Sequence, residues 1–404
     1  MKTTQAIRMV LAGFIGCLAL NAVAVDPAIS DVTVRQRWPW SRLVDIDYVL
    51  TCDATQRVDV ALSAYNGSTA LSFPLNALSG DLYNVSQGGK HVVWDPVKTA
   101  YTNDLLTQFR VSLTPTNPPA YMIVDLTKSA GASNQIEYIY PGDARLVTDG
   151  RWTNVWFDVT NDSIYATDKL VLRRITAGTF KMGNTVPPTI STTLSKDFYA
   201  GVFEVTEAQW QRIMNGTGGT SLLGKGSVSY NDIRGTTNDV PAINWYATDS
   251  AVSSTSFLGL IRAKTGIGSF DLPTEAQWEY ICRAMTTSYY NDGESTSSSD
   301  TNVLNRLAWY VDNSGVHVHA VGGKEANAWG LYDTLGNEWE LCLDWYGSLA
   351  GGTDPAGAVS GSGRVRRGPS WGDNASNCRP GNRLGDAPSF RHSSIGFRLV
   401  RTLP

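Results

Sequence analysis

The chain has 404 residues, about the length of two or three domains. Hydrophobic residues make up 42% of it and charged residues 17%, which supplies apolar material for folded cores and excludes a disordered chain. Lysine and arginine number 33 against 37 aspartates and glutamates, and a net charge of −4 excludes an electrostatic grip on nucleic acid.

The first 24 residues have the pattern of a secretory signal peptide. Lys2 and Arg8 precede an apolar stretch at 9–23, which is too short and too often interrupted by non-hydrophobic residues to form a transmembrane helix. Small residues at 22 and 24 then form a cleavage site. We therefore expect a secreted, periplasmic or cell-surface protein with no transmembrane segment. Lipid attachment at Cys17 is the alternative to free secretion.

Residues 25–116 have the pattern of an all-β sandwich of immunoglobulin or fibronectin type III kind. Apolar and polar residues alternate at 44–50, 58–62 and 109–113, and residues 91–95 resemble a further strand. Glycine-containing turns separate these segments. Short strands at this spacing favour a small sandwich, and no catalytic cluster stands out in it.

Three prolines at 115, 118 and 119 mark the start of a connector, which we assign to residues 117–168. Within it, the stretches 121–126 and 152–156 favour strands. The connector is predicted to link the sandwich to a final domain at residues 169–404.

The final domain is dense in glycine, tryptophan and asparagine turns and contains two clear helical patterns. Thr206 precedes the first, at 207–214, and Thr274 precedes the second, at 275–283. Each threonine is a good N-cap residue, and the second helix has the spacing of a capping box. The remainder of the domain is predicted to form loops and short strands.

Four cysteines remain after removal of the signal peptide. Export permits disulfide bonds, and four cysteines allow three complete pairings, among which the sequence does not choose. The four are Cys52, Cys282, Cys342 and Cys378.

The final domain carries a series of short motifs in a fixed order. They are AGTFKMG (177–183), FEVT (203–206), QW (209–210), PAINW (241–245), LPTEAQWEY (272–280), NAWGLYD (327–333), GNEWE (336–340), RGPSW (367–371) and GFR (396–398). This set resembles the sulfatase-modifying-factor family, whose founding member is the formylglycine-generating enzyme. The resemblance implies an α+β fold, namely an irregular C-type-lectin-like domain that follows the all-β sandwich. It does not imply the activity.

The resemblance also indicates which residues would be catalytic. The oxidases of this family activate oxygen with copper(I) held by two cysteine thiolates five residues apart. Counted from Ser370, the second cysteine matches Cys378, whereas the first matches Asp373, a poor ligand for copper(I). We therefore lean against an enzyme. If the chain is one, it is a formylglycine-generating oxidoreductase that uses copper, with Cys378 and Ser370 as its catalytic residues.

Relatives in this family bind structural calcium in the Gly-Asn-x-Trp-Glu turn. The matching ligands are the side chains of Asp333 and Glu340 and the carbonyls of Gly336 and Glu338. Calcium favours such mixtures of carboxylate and carbonyl oxygens. A turn held by its own hydrogen bonds accounts for the same residues, and the sequence leaves both explanations open.

Residues 364–401 resemble the variable region of proteins that retroelements diversify, which share the lectin-like fold. In those systems template adenines are randomised, and codons derived from AAC or AAT cannot encode Lys, Glu, Gln, Met or Trp. Residues 372–394 contain none of these five residue types. An ordinary loop rich in glycine, serine and asparagine has the same composition, so both interpretations stay open.

The leading hypothesis is an exported protein whose final domain binds an extracellular protein or a glycan through a loop surface. A rigid scaffold that displays mixed aromatic and polar loop residues suits recognition. A formylglycine-generating oxidase and a purely structural surface protein are the alternatives. The predicted contact residues are Trp371, Asp373, Asn374, Asn377, Leu384, Asp386, Phe390 and His392.

Overall fold

The computed structural model describes residues 26–37, 41–54, 56–71, 77–98, 108–132, 134–147, 155–156, 159–236 and 252–403. The predicted signal peptide with Cys17, and the motif at 241–245, lie outside these residues. Within the described ranges, no helix is long and apolar enough to cross a membrane.

The N-terminal region folds into two antiparallel sheets that enclose one apolar core. Its strands are β1 (Ala28–Gln36), β2 (Val44–Thr51), β3 (Asp59–Asn66), β4 (Thr69–Leu71), β5 (Leu78–Gly80), β6 (Gly88–Trp94) and β7 (Phe109–Thr116). One sheet has the order β1-β2-β6-β5 and the other β4-β3-β7. The predicted all-β sandwich is therefore present, with each predicted strand in it.

Alternation of apolar residues explains how this sandwich forms. Ile46, Tyr48 and Leu50 of β2 are at most 1% exposed, and Trp94 of β6 is fully buried. Trp94 stacks on Phe109 of β7, in the opposite sheet, with ring centroids 5.1 Å apart. An aromatic pair of this kind adds to the burial of apolar area and joins the two sheets.

The C-terminal region is built on several sheets of short strands. The strands are β8 (Tyr121–Asp125), β9 (Ile136–Ile139), β10 (Leu146–Val147), β11 (Val155–Trp156), β12 (Lys169–Ile175), β13 (Gly178–Met182), β14 (Ile190–Leu194), β15 (Phe198–Gly201), β16 (Phe270–Asp271), β17 (Trp339–Trp345), β18 (Gly352–Thr353), β19 (Arg364–Arg367), β20 (Arg383–Asp386), β21 (Ile395–Gly396) and β22 (Val400–Thr402). The largest sheet has the order β16-β22-β15-β12-β8-β9. A second, of order β20-β19-β17-β21, carries the predicted binding loops.

The stretch 117–168, predicted as a connector, contributes to this large sheet instead of spanning a gap. β8 pairs antiparallel with β12 from Tyr121 opposite Arg173 to Asp125 opposite Lys169. Four consecutive residues of β8, at 121–124, are buried, so both faces of the strand are covered. A strand that is apolar on both faces is stable inside a sheet that is covered on both sides. β8 has this position, because it pairs with β12 on one side and with β9 on the other.

Short helices pack around the sheets. They are α1 (Ile164–Thr167), α2 (Glu207–Met214), α3 (Tyr230–Arg234), α4 (Phe257–Thr265), α5 (Glu275–Arg283) and α6 (Thr301–Leu307). Thr206 and Thr274 cap α2 and α5 as the sequence predicts, and the capping box predicted at Thr274 has a counterpart at Thr206 that the sequence interpretation did not include. The sequence interpretation missed α4, which Ser256 caps and whose Phe257, Leu258 and Ile261 are buried. The irregular α+β fold that was predicted is therefore the one observed.

A buried ion cluster joins the sandwich to the C-terminal region. Arg174 of β12 donates to Oδ1 of Asp59, in β3 of the sandwich, at 2.8 Å and to Oδ2 of Asp197 at 2.9 Å. Asn84 of the sandwich donates from Nδ2 to Asp197 at 2.8 Å. All three charged side chains are less than 10% exposed, so the cluster fixes one region against the other.

Candidate functional site

The turn after β19 holds Asp373 by three hydrogen bonds to a single oxygen. Oδ2 of Asp373 accepts from the backbone N–H of Ser370 at 2.9 Å and from its hydroxyl at 2.7 Å. The same oxygen accepts from the indole N–H of Trp339 at 2.8 Å. The carboxylate therefore ties the turn to β17. Gly368, at a φ of 68°, supplies the left-handed backbone on which this turn starts.

Cys378 lies nearby in sequence but is a core residue. Its side chain is fully buried in a cluster with Tyr290, Leu304 and Tyr310, and its thiol contacts the carbonyl oxygen of Asn374 at 3.5 Å. Burial raises the pKa of this thiol far above its usual range, which opposes the thiolate that copper(I) requires.

The residues present therefore do not fit a copper(I) site. Linear ligation by two sulfurs needs a second thiolate, and Asp373 offers a hard carboxylate that already serves three donors. Each of the four cysteines predicted as disulfide candidates is a free, buried thiol. Cys282 and Cys342 share the core cluster of Cys378, and Cys52 lies in the sandwich core.

Arg366 joins Asp386 to the Trp339–Asp373 pair. Its guanidinium lies over the ring of Trp339, 4.6 Å from the centroid, and its Nε is 2.7 Å from Oδ2 of Asp386. In the ladder of β19 and β20, Arg366 stands opposite Leu384. Contacts through Trp339 and Arg366 therefore bring three predicted contact residues together, namely Asp373, Leu384 and Asp386.

Part of the predicted loop surface is a strand. Residues 383–386 form β20 at the edge of the second sheet, although the sequence predicts no regular structure there. Their register with β19 exposes Leu384 at 43%. The mixed composition of glycine, arginine and aspartate does not predict a strand here. β20 forms nevertheless, because a strand at the edge of a sheet pairs with one neighbour only.

Phe390 and His392 occupy the next loop, which a different part of the chain anchors. The N–H of Ser227 donates to the carbonyl of His392 at 3.0 Å, and Arg391 donates from Nε to Asp232 at 2.6 Å. Phe390 is 44% exposed, and the His392 ring lies 2.8 Å from the hydroxyl of Ser394. The loop thus exposes the side chains of Phe390 and His392, while the hydrogen bonds with Ser227 and Asp232 fix its position.

The remaining predicted contact residues lie in the turns that follow β19. Trp371 and Asn377 are half-buried, and Asn374 is exposed. The backbone N–H of Asn377 donates to the carbonyl of Asn374 at 2.9 Å, and that of Trp371 donates to Asn337 at 2.9 Å. Backbone hydrogen bonds therefore fix these turns and leave their polar side chains available.

The two carboxylates among the predicted calcium ligands differ in whether their oxygens already have hydrogen-bond partners. Both oxygens of Glu340 accept from Arg398, at 2.7 and 2.6 Å, and one accepts also from the indole of Trp278. Asp333 receives the N–H of Gly322 on Oδ2, and its Oδ1 has no partner among the described residues. Burial raises the pKa of Asp333 to about 6.

The carboxylate of Glu340 is thus already neutralised, and the four-ligand set fits calcium poorly as it stands. Among the described residues, no three His, Cys, Asp or Glu side chains form a group that could hold a metal ion. Calcium at Asp333, Gly336, Glu338 and Glu340 stays a prediction.

Sequence reasoning missed Arg366 and Glu204, which both belong to the site. Arg366 is the one residue of β19 that is not buried, but the sequence does not mark it, because Arg364 and Arg367 of the same strand are arginines that are buried. Glu204 lies within the FEVT motif and is fully buried, where it accepts a hydrogen bond from Asn337 at 2.6 Å. No local pattern distinguishes a glutamate with that partner from an exposed one.

A cavity of about 440 Å³ lies where the sandwich meets the C-terminal region. Leu62, Tyr83, Tyr138, Tyr199 and Arg401 are among its lining residues. None of the predicted contact residues lines it.

Comparisons with known proteins cover the C-terminal region. Residues 166–403, more than half of the chain, match the family model of the sulfatase-modifying factor enzyme 1-like domain. The formylglycine-generating enzyme of Bos taurus is 27% identical over 244 residues, which cover 50% of this chain and 65% of that protein. The serine/threonine-protein kinase pkn1 of Chlamydia caviae is 34% identical over 137 residues, which cover 32% of this chain and 21% of the kinase. The chain thus spans less than two thirds of each relative's length.

Solved structures also align with this chain. Treponema denticola variable protein 1 does so with a TM-score of 0.46 and 25% identity, over 58% of this chain and 96% of its own. PvdO from Pseudomonas aeruginosa does so with a TM-score of 0.46 and 21% identity, over 58% of this chain and 94% of its own. Each is matched over most of its length.

Proposed function

The chain belongs to the sulfatase-modifying factor enzyme 1-like family, and from this premise we propose that it is an exported ligand-binding protein. The ligand is an extracellular protein or a glycan, and it docks on the surface formed by the turns after β19, strand β20 and the loop at 388–393. We call this the loop surface. The family domain serves as a scaffold in this proposal, and the sandwich serves as a spacer.

The observation that carries the proposal is the state of Asp373. At the position that resembles the first copper cysteine, a carboxylate accepts three hydrogen bonds and anchors a turn. The thiol of Cys378, which matches the second copper cysteine, is buried with a raised pKa. A site arranged for packing rather than for metal chemistry supports binding over oxidation.

The loop surface supports the same function by its mixture of exposed groups. Leu384 and Phe390 are large apolar side chains that are more than 40% exposed, although apolar residues of this size usually lie inside. Exposed charged and polar residues follow Phe390 in the sequence, namely Arg391 and His392. Aromatic and apolar anchors within a polar rim are typical of interfaces.

We further propose that a retroelement diversifies the loop surface. The absence of Lys, Glu, Gln, Met and Trp from residues 372–394 supports it. The gene supplies the test. A near-copy of the codons for residues 364–400 that differs mainly at adenines, beside a reverse transcriptase, is the expected finding. A locus with neither feature would leave this stretch as an ordinary loop.

A binding screen tests the main proposal. The chain without residues 1–24 is immobilised and exposed to a glycan array and to a library of purified secreted and surface proteins. We expect one ligand or a narrow group of ligands, captured by the chain and not by a variant with Leu384→Ala and Phe390→Ala. A variant with Val316→Ala and Val359→Ala, two residues that are also exposed, is the matched control. Equal capture by all three proteins would place the site elsewhere.

A further inference from the structure

Glu338 is a buried carboxylate without a hydrogen-bond partner in the part of the chain that the structure describes. It lies between Asn337 and Trp339, is 0% exposed, and neither of its oxygens has a hydrogen-bond partner among the described residues. Burying a carboxylate without a partner is strongly unfavourable, because the charge loses its hydration and gains nothing in return. Folded proteins rarely leave such a group uncompensated, so its surroundings indicate what compensates it.

Three glycines surround this carboxylate closely. A Cβ atom on Gly224 would lie 2.3 Å from Oε2, one on Gly396 would lie 2.2 Å from Oε2, and one on Gly226 would lie 2.7 Å from Oε1. Any side chain at these positions would collide with Glu338. The segment 224–226 therefore leaves room for this carboxylate only because glycine stands at both of its ends.

Glu204 brings a second buried carboxylate to the same place. The position of a Cβ on Gly224 lies 3.1 Å from Oε2 of Glu204 and 2.3 Å from Oε2 of Glu338, so the two oxygens are close neighbours. Glu204 also accepts the backbone N–H of Glu338 at 3.0 Å on Oε1. Burial, with repulsion from Glu338, raises the pKa of the Glu204 carboxyl well above its usual range, and burial raises the pKa of the Glu338 carboxyl in the same direction.

Two backbone carbonyl oxygens also lie near the Glu338 carboxylate. Beside Gly226, the same Cβ position that is 2.7 Å from Oε1 of Glu338 is 2.5 Å from the carbonyl oxygen of Ser393. Beside Gly396, the Cβ position near Oε2 is 3.3 Å from the carbonyl oxygen of Lys225. The ammonium of Lys225 donates to the carbonyl oxygen of Gly226 at 2.7 Å, and its positive charge acts on the Glu338 carboxylate.

We propose that Glu338 and Glu204 bind a calcium ion between their carboxylates, with backbone carbonyls of the 224–226 and 393–396 segments as further ligands. The set contains oxygens alone and mixes carboxylates with carbonyls, which calcium prefers. Two carboxylates match its charge, and the flexible geometry of calcium tolerates an irregular set of oxygens better than magnesium does. This site differs from the set of Asp333 and Glu340, because Arg398 already neutralises Glu340.

The site has a structural consequence for the loop surface. The ion would hold the 224–226 segment against residues 393–396, and Ser227 binds the carbonyl of His392 directly beyond it. Calcium would thus fix the base of the loop that displays Phe390 and His392. The calcium site itself does not depend on the proposed ligand binding.

The test measures calcium content and melting temperature of the chain without residues 1–24. After dialysis against calcium and then against metal-free buffer, we expect about one bound calcium per chain by elemental analysis. Chelation should remove it and lower the melting temperature, since a ligand of the native state alone stabilises that state. Protein that binds no calcium, with a melting temperature indifferent to calcium and chelator, would overturn the proposal.

Variants assign the site. Glu338→Gln should lose the calcium and the calcium-dependent melting shift, yet melt above the chelated wild type, because it no longer buries an uncompensated charge. Asp333→Asn should keep the calcium, and Glu325→Gln, a change at an exposed carboxylate, is the matched control. Retention of calcium by Glu338→Gln, or its loss in Asp333→Asn alone, would overturn the assignment.

Discussion

Trp339 donates its indole N–H to Asp373 at 2.8 Å, and this bond joins the floor of the second sheet to the turn that displays the loop surface. Ser370 donates twice to the same oxygen. A cysteine at this position could not accept three such bonds, since its sulfur is a weak acceptor. The residue that breaks the copper pair therefore has a structural function of its own.

The first prediction follows from this arrangement: the chain generates no formylglycine. Copper-loaded protein is incubated with a cysteine-containing sulfatase peptide, and aldehyde formation is followed by mass. No product is expected, because copper(I) needs two thiolates and the buried thiol of Cys378 has a raised pKa. Turnover that disappears on Cys378→Ser would show that the oxidase hypothesis is correct.

Local signals explain which elements the sequence predicts well. Thr206 and Thr274 each cap a helix through a residue three positions ahead, and these contacts can be read from a window of four residues. Alternation likewise predicts β2 at Val44–Thr51. The family motifs predict the irregular fold of the C-terminal region.

Contacts between distant residues explain what the sequence does not predict. Asp373 and Trp339 are 34 positions apart, and Glu204 and Asn337 are 133 apart, so no periodicity marks either pair. The sequence predicts β8 as an isolated apolar strand, and only the structure shows that it pairs with β12. The orphaned carboxylate of Glu338 depends on three glycines from two segments, which only the fold brings together.

The second prediction concerns Arg174 at the junction of the two regions. Arg174→Met should lower the free energy of unfolding by about 3–5 kcal/mol, because Asp59 and Asp197 then stay buried without their cation. Urea denaturation followed by tryptophan fluorescence measures the loss. Arg145→Met is the matched control, since its partners Glu137 and Asp143 are more exposed and such pairs contribute about 0–1 kcal/mol. Equal effects of the two changes would contradict the prediction.

The third prediction is a pH dependence caused by Asp344. Burial, with the nearby charge of Glu275, raises its pKa to about 7. Between about pH 4 and pH 7 the folded protein keeps a proton that the unfolded chain has lost, so this group lowers stability as pH rises. Asp344→Asn should therefore gain melting temperature relative to the wild type as pH increases through this window.

Asp45 provides a control of opposite sign for that experiment. Its hydrogen bond from Arg37 lowers its pKa to about 2, so its contribution is present above about pH 4 and is lost as pH falls toward 2. Asp45→Asn should therefore differ most from the wild type near neutral pH and least in acid. Parallel pH profiles for the two variants would show that neither carboxyl titrates as described.

The last prediction separates folding from binding on the loop surface. Leu384→Ala, Phe390→Ala and His392→Ala together should change stability little, since exposed substitutions usually shift it by no more than about 0.5 kcal/mol each. Asp386→Ala should cost more, because Arg366 loses its ion pair 2.7 Å away. Melting curves of the triple variant, with and without Asp386→Ala, measure both effects.

The same variants should abolish capture of the ligand found in the screen, because a few anchors carry most of the energy of an interface. Leu384 and Phe390 supply exposed apolar area. The N–H of Ser227 donates to the backbone carbonyl of His392 and so fixes the position of that residue. Biolayer interferometry compares each variant with the wild type. A triple variant that unfolds would show these side chains to be core residues. One that folds and binds with unchanged affinity would move the site to another surface, with the cavity beside Tyr138 and Arg401 as the next candidate.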